Sequence, residues 1–208
     1  CAVIQAVDDY QDLLRISVAT AGNDHRLGAN EAPPAIISMF LGDELTEVLE
    51  AIEHDAPYGG HDEEQLKVGV NVLPRFPKDA TDRNRTSPFA FTGNKFEFRM
   101  PGSSMNLSDA NTVLNTAVAK VLRDFCTEMD GQEDFTAAAA AWIRNTIRQH
   151  QRILFNGDGY SSEWEEEAAR RGLSNYRSTV DVLPVMIEPR NMELFESFGV
   201  LSESEIRS

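Results

Sequence analysis

The sequence has few basic residues, few cysteines and no long apolar run, and each shortage excludes a class of protein. Lys and Arg total 19 against 34 Asp and Glu, so the formal net charge of the 208 residues is −15. A chain this acidic is poorly suited to nucleic acid or to an anionic membrane surface, because both require basic patches. No apolar stretch reaches the roughly 18 residues of a membrane span. The two cysteines, Cys1 and Cys126, form no disulfide framework or metal motif, which favours a reducing, cytoplasmic location.

The remaining composition is that of a globular protein with a core of its own. Hydrophobic residues make up 41% and charged residues 25% of the chain, and its length suits one domain or two small ones. Apolar residues spaced three or four apart predict a helix over residues 1–20. Because this pattern is already under way at residue 1, we expect the sequence to be a fragment of a longer protein.

Turn residues and hydrophobic periods predict the other elements. Residues 21–24 are expected to form a loop, residues 35–41 a strand or a buried helix start, and residues 55–82 an extended surface insertion. Alternating residues around a Thr-Gly-Asn turn predict a β-hairpin over 88–100. Helices are predicted from residue 43, over 108–129 and 135–154, from 161 or 162 to 172, and as two short segments after residue 189.

Basic residues are concentrated in one part of this acidic chain. Residues 75–99 contain six basic and three acidic side chains. Such an island suggests a locally bound small anion, such as a phosphate or carboxylate. The alternative is that these cations only neutralise acidic neighbours. The six basic residues are Arg75, Lys78, Arg83, Arg85, Lys95 and Arg99.

Two further features have a functional and a structural interpretation. In the hairpin, Lys95, Glu97 and Arg99 fall on one strand face, because alternate residues of a strand point the same way. This row could form the floor of a pocket for Mg²⁺ and phosphates, or it could be an exposed strand whose charges compensate each other. Arg26 and Glu31 lie on a loop shaped by glycine and proline, which suits either a ligand clamp with a general base or an ordinary surface loop.

Three ordered motifs give the sequence a family resemblance. They are RLGANEAPP at 26–34, RNRT at 83–86 and KFEFRMP at 95–101, and together they resemble glutamine synthetase. The longer strings GNDHRLGANEAPPAIIS and RNRTSPFAFTGNKFEFRMPGSS are similar to the type III enzymes in particular. The resemblance extends over essentially the whole chain.

The resemblance implies a role for individual positions. It assigns Arg26 and Arg99 to glutamate binding, Glu31 to taking a proton from ammonium, and Arg85 to the transferred phosphate. It assigns Lys95, with Arg85, to the nucleotide phosphates, and Glu97 to a metal ion. The implied ligands are L-glutamate, ammonium, ATP and Mg²⁺ (or Mn²⁺).

The sequence departs from the common family pattern at three points. The loop between Arg26 and Glu31 is one residue shorter than in the common bacterial form. Ala90 stands where that form has another arginine, and Lys95 replaces an arginine, which keeps the charge but loses the bidentate fork.

The family also implies an architecture and an assembly. The expected α+β fold has the second half of the catalytic domain over residues 1–130, with antiparallel strands and packed helices, and then a helical carboxy-terminal segment over 131–208. The implied assembly is a homo-oligomer of stacked rings whose active sites lie between subunits, and further metal ligands are expected before Cys1. The 208 residues alone are therefore expected to be inactive.

Two rival interpretations belong to other functional classes. The chain could act as an assembly or regulatory module of a larger ligase without chemistry of its own. It could also belong to a related ligase or guanidino kinase with another acceptor. The combination of Arg26, Arg99 and Glu31 favours glutamine synthetase over that last class, since two cations for glutamate occur with a base for ammonium.

Overall fold

The computed structural model describes residues 1–29, 31–58, 65–66, 76–77 and 85–208. The fold is α+β, as predicted from the sequence: a small sheet is surrounded by helices. In chain order the helices are α1 (Ala2–Asp9), α2 (Gln11–Ile16), α3 (Ala21–Arg26), α4 (Asp43–Glu53), α5 (Ser108–Met129), α6 (Phe135–His150), α7 (Ser162–Arg170), α8 (Thr179–Val182), α9 (Pro189–Ser197) and α10 (Glu203–Ile206). The strands are β1 (Met39–Phe40), β2 (Gln65–Leu66), β3 (Phe76–Pro77), β4 (Phe89–Phe91) and β5 (Phe96–Phe98), and 3₁₀ turns occupy Gln151–Ile153 and Leu183–Ile187.

The amino-terminal region differs from its prediction in two places. The single helix expected over 1–20 is broken at Tyr10, whose φ of −118° and ψ of 26° are not helical. The loop expected at residues 21–24 is the start of α3. Thr20 caps this helix, because its hydroxyl accepts a hydrogen bond from Asn23 N at 3.1 Å. The cap satisfies a backbone donor that a helix start otherwise leaves free, and Gly22 is tolerated inside the turn that follows.

The predicted hairpin is confirmed and forms most of the main sheet. Strands β4 and β5 pair antiparallel, with Ala90 opposite Glu97. Strand β1 adds to the other side of β4 in parallel, so the strand order is β1-β4-β5. A parallel pair needs a long crossover, and the connection here includes α4. The separate pair β2-β3 is antiparallel, and apart from residues 55–58 the rest of the predicted insertion lies outside the described residues.

The helices after the hairpin follow the sequence predictions closely. Helix α5 has the predicted bounds, and α6 begins as expected but gives way to a 3₁₀ turn after His150. Ser161 caps α7 by accepting a hydrogen bond from Trp164 N at 3.2 Å. Helices α9 and α10 are the two short helices predicted after residue 189, whereas α8 was not predicted.

One apolar core joins the two predicted segments of the chain. Its largest cluster contains Leu13 from α2, Met39 and Phe89 from the sheet, and Ile153 and Phe195 from the carboxy-terminal part. These side chains are at most 1% exposed. The boundary predicted at residue 130 stays a prediction, but the residues on either side of it pack on each other and hold the sheet in place.

Candidate active site

A small cavity of about 90 Å³ brings together four of the six residues singled out from the sequence. Arg26, Glu31, Arg85 and Arg99 all line it, although they come from three distant segments of the chain. Three guanidinium groups and one carboxylate give its charged lining a net charge of +2. The cavity therefore suits a small anion. Its other lining residues are Leu27, Ala32, Pro33, Pro34, Ser87, Pro88, Met100 and Tyr160.

Arg26 is held by the buried side chain of Asn23, one turn earlier in α3. Asn23 Oδ1 accepts from Arg26 Nε at 2.9 Å, and Asn23 Nδ2 donates to the carbonyls of Val18 at 2.8 Å and Met100 at 3.2 Å. Arg26 Nη2 also donates to the Met100 carbonyl. One carboxamide thus fixes the arginine against the backbone that leaves β5. Asn23 was not predicted as a site residue because residues 21–24 were expected to form a loop.

The loop that carries Glu31 closes on itself beside Arg26. Gly28 N donates to the Pro33 carbonyl at 2.9 Å, and Leu27 forms a single parallel bridge with Ala32. Gly28 has φ of +76°, a conformation that favours glycine. This closure leaves Glu31 exposed at the mouth of the cavity, where a carboxylate can meet a proton donor from solvent.

Arg85 and Thr86 form a turn that leads into the buried start of β4. The Arg85 side chain is exposed and reaches the small cavity. The Thr86 hydroxyl accepts a hydrogen bond at 2.8 Å from the backbone of Gly159, far along the chain. Arg75, Lys78 and Arg83, the other cations of this part of the basic island, lie outside the described residues.

The charged face predicted for β5 is a row of mutual contacts. Arg99 donates to Glu97 Oε2 from Nε at 3.1 Å and from Nη2 at 2.9 Å, while Lys95 Nζ lies 3.4 Å from Glu97 Oε1. The hydrogen bonds from Arg99, with a smaller contribution from Lys95, hold the pKa of the Glu97 carboxyl below its usual range. Glu97 is thus ionised at neutral pH and already compensated by two cations.

This row also lines a second, larger cleft of about 690 Å³ between the hairpin and the start of α4. Its charged residues are Glu44, Lys95, Glu97 and Arg99, so the formal charges of its lining cancel. Phe40 and Phe91 provide apolar wall, and the hairpin turn at residues 92–94 provides exposed backbone groups. Arg99 borders both the large cleft and the small cavity.

Ala90, where the common family pattern has an arginine, is fully buried opposite Glu97. Because directly opposite residues of an antiparallel pair share a face, Ala90 lies on the same side of the sheet as Glu97, and its small side chain brings no cation there. Among the described residues of the small cavity, Arg26, Arg85 and Arg99 supply the positive charge.

The fold also assembles a polar cluster that the sequence did not indicate. His150 Nδ1 lies 2.8 Å from Asp8 Oδ2 and 3.9 Å from Asp9 Oδ1, and these three residues offer ligand atoms close enough for one metal ion. Arg152 Nε donates to Asp8 Oδ1 at 2.8 Å. Because Asp8 already pairs with this guanidinium, the cluster serves to join α1 to the end of α6. Its histidine lies 142 residues after Asp8, so no local spacing could have revealed it.

No helix in the described part of the chain has both the length and the apolar character needed to cross a bilayer.

Comparison with known proteins supports the resemblance found in the motifs. Residues 138–208 match the family model of the glutamine synthetase C-terminal domain. The whole chain is 48% identical to a type-3 glutamine synthetase of Dictyostelium discoideum, covering 29% of that protein. It is 44% identical to a glutamine synthetase of Butyrivibrio fibrisolvens, again over the whole chain and 30% of the relative.

A third relative, a glutamine synthetase of Bacteroides fragilis, is 42% identical over 98% of the chain and 29% of its own length. The chain thus spans about three tenths of the length of these relatives. The family model begins within α6 and covers the helices after it. The two relatives that match the whole chain also match the residues that line both cavities. From these matches and the ordered motifs, the chain belongs to the glutamine synthetase family.

Proposed function

We propose that this chain contributes the glutamate- and phosphoryl-binding side of a glutamine synthetase. The observation that carries the proposal is the small cavity, where Arg26, Glu31, Arg85 and Arg99 meet from three segments of sequence. In the proposed reaction, ATP phosphorylates the side-chain carboxylate of L-glutamate and leaves as ADP. Ammonia then attacks the acyl phosphate, and phosphate leaves as L-glutamine forms.

Each residue of the small cavity has a role that suits its chemistry. Arg26 and Arg99 hold the glutamate, and Arg85 neutralises the charge that develops on the transferred phosphoryl group. Glu31 accepts the proton that ammonium must lose before its nitrogen can attack. Its exposed position at the mouth of the cavity supports this role, because ammonium enters from water.

The large cleft is the proposed nucleotide site. Its volume of about 690 Å³ is in the range of small-molecule sites, roughly 300–1,000 Å³. Lys95 and Arg99 supply cations for phosphates, while Phe40 and Phe91 supply apolar surface for a base or ribose. The exposed Lys95 ammonium binds as a point charge, without the two-pronged geometry of an arginine.

The described residues do not by themselves form a magnesium site. Mg²⁺ binds through carboxylates, waters and substrate phosphates, and Glu97 contributes a single carboxylate whose two oxygens already contact Lys95 and Arg99. Glu97 as a ligand of Mg²⁺ (or Mn²⁺) is therefore proposed only together with ligands outside the described residues. For the same reason the 208 residues alone are proposed to be inactive.

The biological setting is part of the same proposal. The protein would act in glutamine biosynthesis and nitrogen assimilation in the cytoplasm, as a homo-oligomer of stacked rings. The similarity to three proteins named glutamine synthetase supports the activity. The proposed assembly and location follow from the family resemblance and from the sequence composition.

The test is ATP- and glutamate-dependent incorporation of ammonia by the full-length protein and its Glu31→Gln variant. Loss of the general base should lower turnover roughly 100-fold or more, with little change in the KM for ATP. Glu128→Gln, an exposed carboxylate on α5, is the matched control. Glutamine formation that is absent in the wild type, or unchanged in Glu31→Gln, would contradict the proposal and favour the assembly or regulatory module.

A further inference from the structure

A turn from the carboxy-terminal part of the chain is bonded to the start of the large cleft. Phe155 N donates to the Met39 carbonyl at 2.9 Å, which continues the edge of β1. Asn156 Oδ1 accepts from the backbone of Leu41 at 3.2 Å and of Gly42 at 3.4 Å. Residues 155–160, here called the docking turn, are thus fixed to the backbone that leads from β1 into α4.

The other end of the docking turn lies between the two loops of the small cavity. Gly159 N donates to Thr86 Oγ1 at 2.8 Å. A Cβ on Gly159 would stand 2.8 Å from the Thr86 carbonyl oxygen and 3.5 Å from Pro33 Cβ. The turn is therefore bonded to Thr86 and lies beside Pro33 of the Glu31 loop, and it approaches the Thr86 backbone so closely that an added Cβ would require a shift.

This docking brings Tyr160 to the small cavity. Tyr160 N donates to Asp158 Oδ1 at 2.9 Å, which fixes the end of the turn, and Tyr160 lines the cavity with Arg26, Arg85 and Arg99. The residue is 48% exposed, so packing in the core does not account for its position. A phenol hydroxyl can donate one hydrogen bond, and an anionic oxygen between arginines is a strong acceptor for it.

We infer that Tyr160 is a further anion-binding residue of this site, presented to it by the docking turn. Its hydroxyl donates to an oxygen of the anion held by Arg85 and Arg99. That anion is a carboxylate of glutamate or the transferred phosphoryl group, and both present the same kind of oxygen. The inference rests on the proposed function, but anion binding can be measured without turnover.

The experiment compares Tyr160→Phe with the wild-type full-length protein. Loss of one hydrogen bond to a charged group should lower kcat/KM for glutamate about five- to tenfold. A higher KM for glutamate with normal kcat would identify the carboxylate, and a lower kcat with normal KM would identify the phosphoryl group. Titration calorimetry with inorganic phosphate should show binding weakened about fivefold. Tyr58→Phe, a tyrosine of similar exposure outside the cavity, is the control.

Two results would overturn the inference. One is a Tyr160→Phe variant whose kinetic constants and phosphate binding both stay within twofold of the wild type. The other is full activity in Tyr160→Phe but not in Tyr160→Ala, which would leave the ring only a packing role. If the wild type makes no glutamine, the proposed function fails. Weaker phosphate binding in Tyr160→Phe but not in Tyr58→Phe would still support the anion site.

A glycine pair tests the docking turn itself. Gly159→Ala must displace the Thr86 carbonyl and with it Arg85, so kcat/KM should fall about tenfold or more at an unchanged Tyr160. Gly22→Ala is the matched control, because an added Cβ there meets no atom within 4 Å. Equal activity of the two variants would show that the close approach of Gly159 does not position the site.

Discussion

The small cavity and the large cleft share Arg99 but differ in charge and in construction. The lining of the small cavity carries a net charge of +2, whereas the charges of the large cleft cancel. The small cavity is enclosed by loops bonded to each other, and the large cleft is bordered by exposed hairpin residues. An anion is therefore selected by charge in the small cavity, while a nucleotide in the large cleft needs additional cations or an ion beside Lys95 and Arg99.

The largest effect should come from Glu97, the residue that balances the charges of the large cleft. In the full-length protein, Glu97→Ala should lower turnover about 1,000-fold if Glu97 holds the metal ion as proposed, because that ion would stabilise the reacting phosphates by several kcal/mol. The variant should unfold at nearly the wild-type temperature, since the Glu97 side chain is 36% exposed.

Turnover against Mg²⁺ concentration, with Glu128→Ala as control, measures this prediction. Normal turnover with normal Mg²⁺ dependence would show that Glu97 serves only to neutralise Lys95 and Arg99. In that case Glu97 would explain the different charge of the large cleft but would make no contribution to turnover.

A smaller effect is expected at Arg85, on the cationic side of the comparison. Arg85→Ala should lower kcat roughly 100-fold and leave the KM for ATP within threefold, because an arginine at a transferred phosphoryl group acts mainly in the transition state. Steady-state kinetics beside Arg170→Ala, an exposed arginine at the end of α7, provide the measurement. Equal losses in ATP binding and in turnover would indicate that Arg85 binds the nucleotide and does not stabilise the transferred phosphoryl group.

A variant of Asn23 tests whether the small cavity depends on the hydrogen bonds that hold Arg26 as well as on the charges of its arginines. Asn23→Ala removes the bond to Arg26 Nε and two bonds to buried carbonyls. We expect a loss of about 2 kcal/mol of stability and a roughly tenfold higher KM for glutamate, with the KM for ATP unchanged. Thermal unfolding and kinetics beside Asn115→Ala, an exposed position on α5, check both effects. A normal KM for glutamate would show that Arg26 is positioned without its hydrogen bond to Asn23.

The smallest effect is a pH dependence in the packing of α3. Burial alone would raise the pKa of Asp24, but hydrogen bonds from Arg15 and Thr179 outweigh it and hold the pKa below its usual range. A carboxyl whose folded-state pKa is depressed stabilises the fold above its unfolded pKa, and it loses that contribution as the pH falls through the folded-state value.

Thermal unfolding of wild type and Asp24→Asn should therefore differ most near neutral pH. The difference should begin to shrink below about pH 4, near the usual carboxyl pKa, and vanish only below the lower, folded-state pKa of Asp24. Arg15, the partner of Asp24, is only 1% exposed, and Asp24→Asn would leave this buried cation without its counter-ion. The wild type should therefore be the more stable protein at neutral pH. A constant difference across this range would exclude the ion pair as its source.

The sequence predicted the structure correctly where the residue types and the local spacing of apolar and charged residues indicate the same element. The alternation at Lys95, Glu97 and Arg99 predicted the charged strand face, and the hairpin places these three groups in contact. The Ser108-Asp109 pair and the apolar stripe predicted the bounds of α5, although Leu107 at the cap position makes no side-chain capping bond. A long amphipathic helix depends mostly on local sequence.

The errors arise where distant contacts decide the conformation. Tyr10 interrupts the first helix without the proline or glycine that would announce a break. The Asn-Gly-Asp-Gly run at 156–159 is typical of a turn, but its partners Leu41 and Thr86 could not be inferred from these residues. Tyr160 was missed for the same reason, since its function follows from where the turn docks and not from the residues beside it.

The bond between the Leu41 backbone and Asn156 has a consequence for the way the protein is made. Its two residues are 115 positions apart. At about 5–20 residues per second, a ribosome adds the asparagine roughly 6 to 23 seconds after the leucine. Throughout that interval the amides of Leu41 and Gly42, between β1 and α4, lack this acceptor, so nascent chains that end before residue 156 should leave this junction without its side-chain anchor.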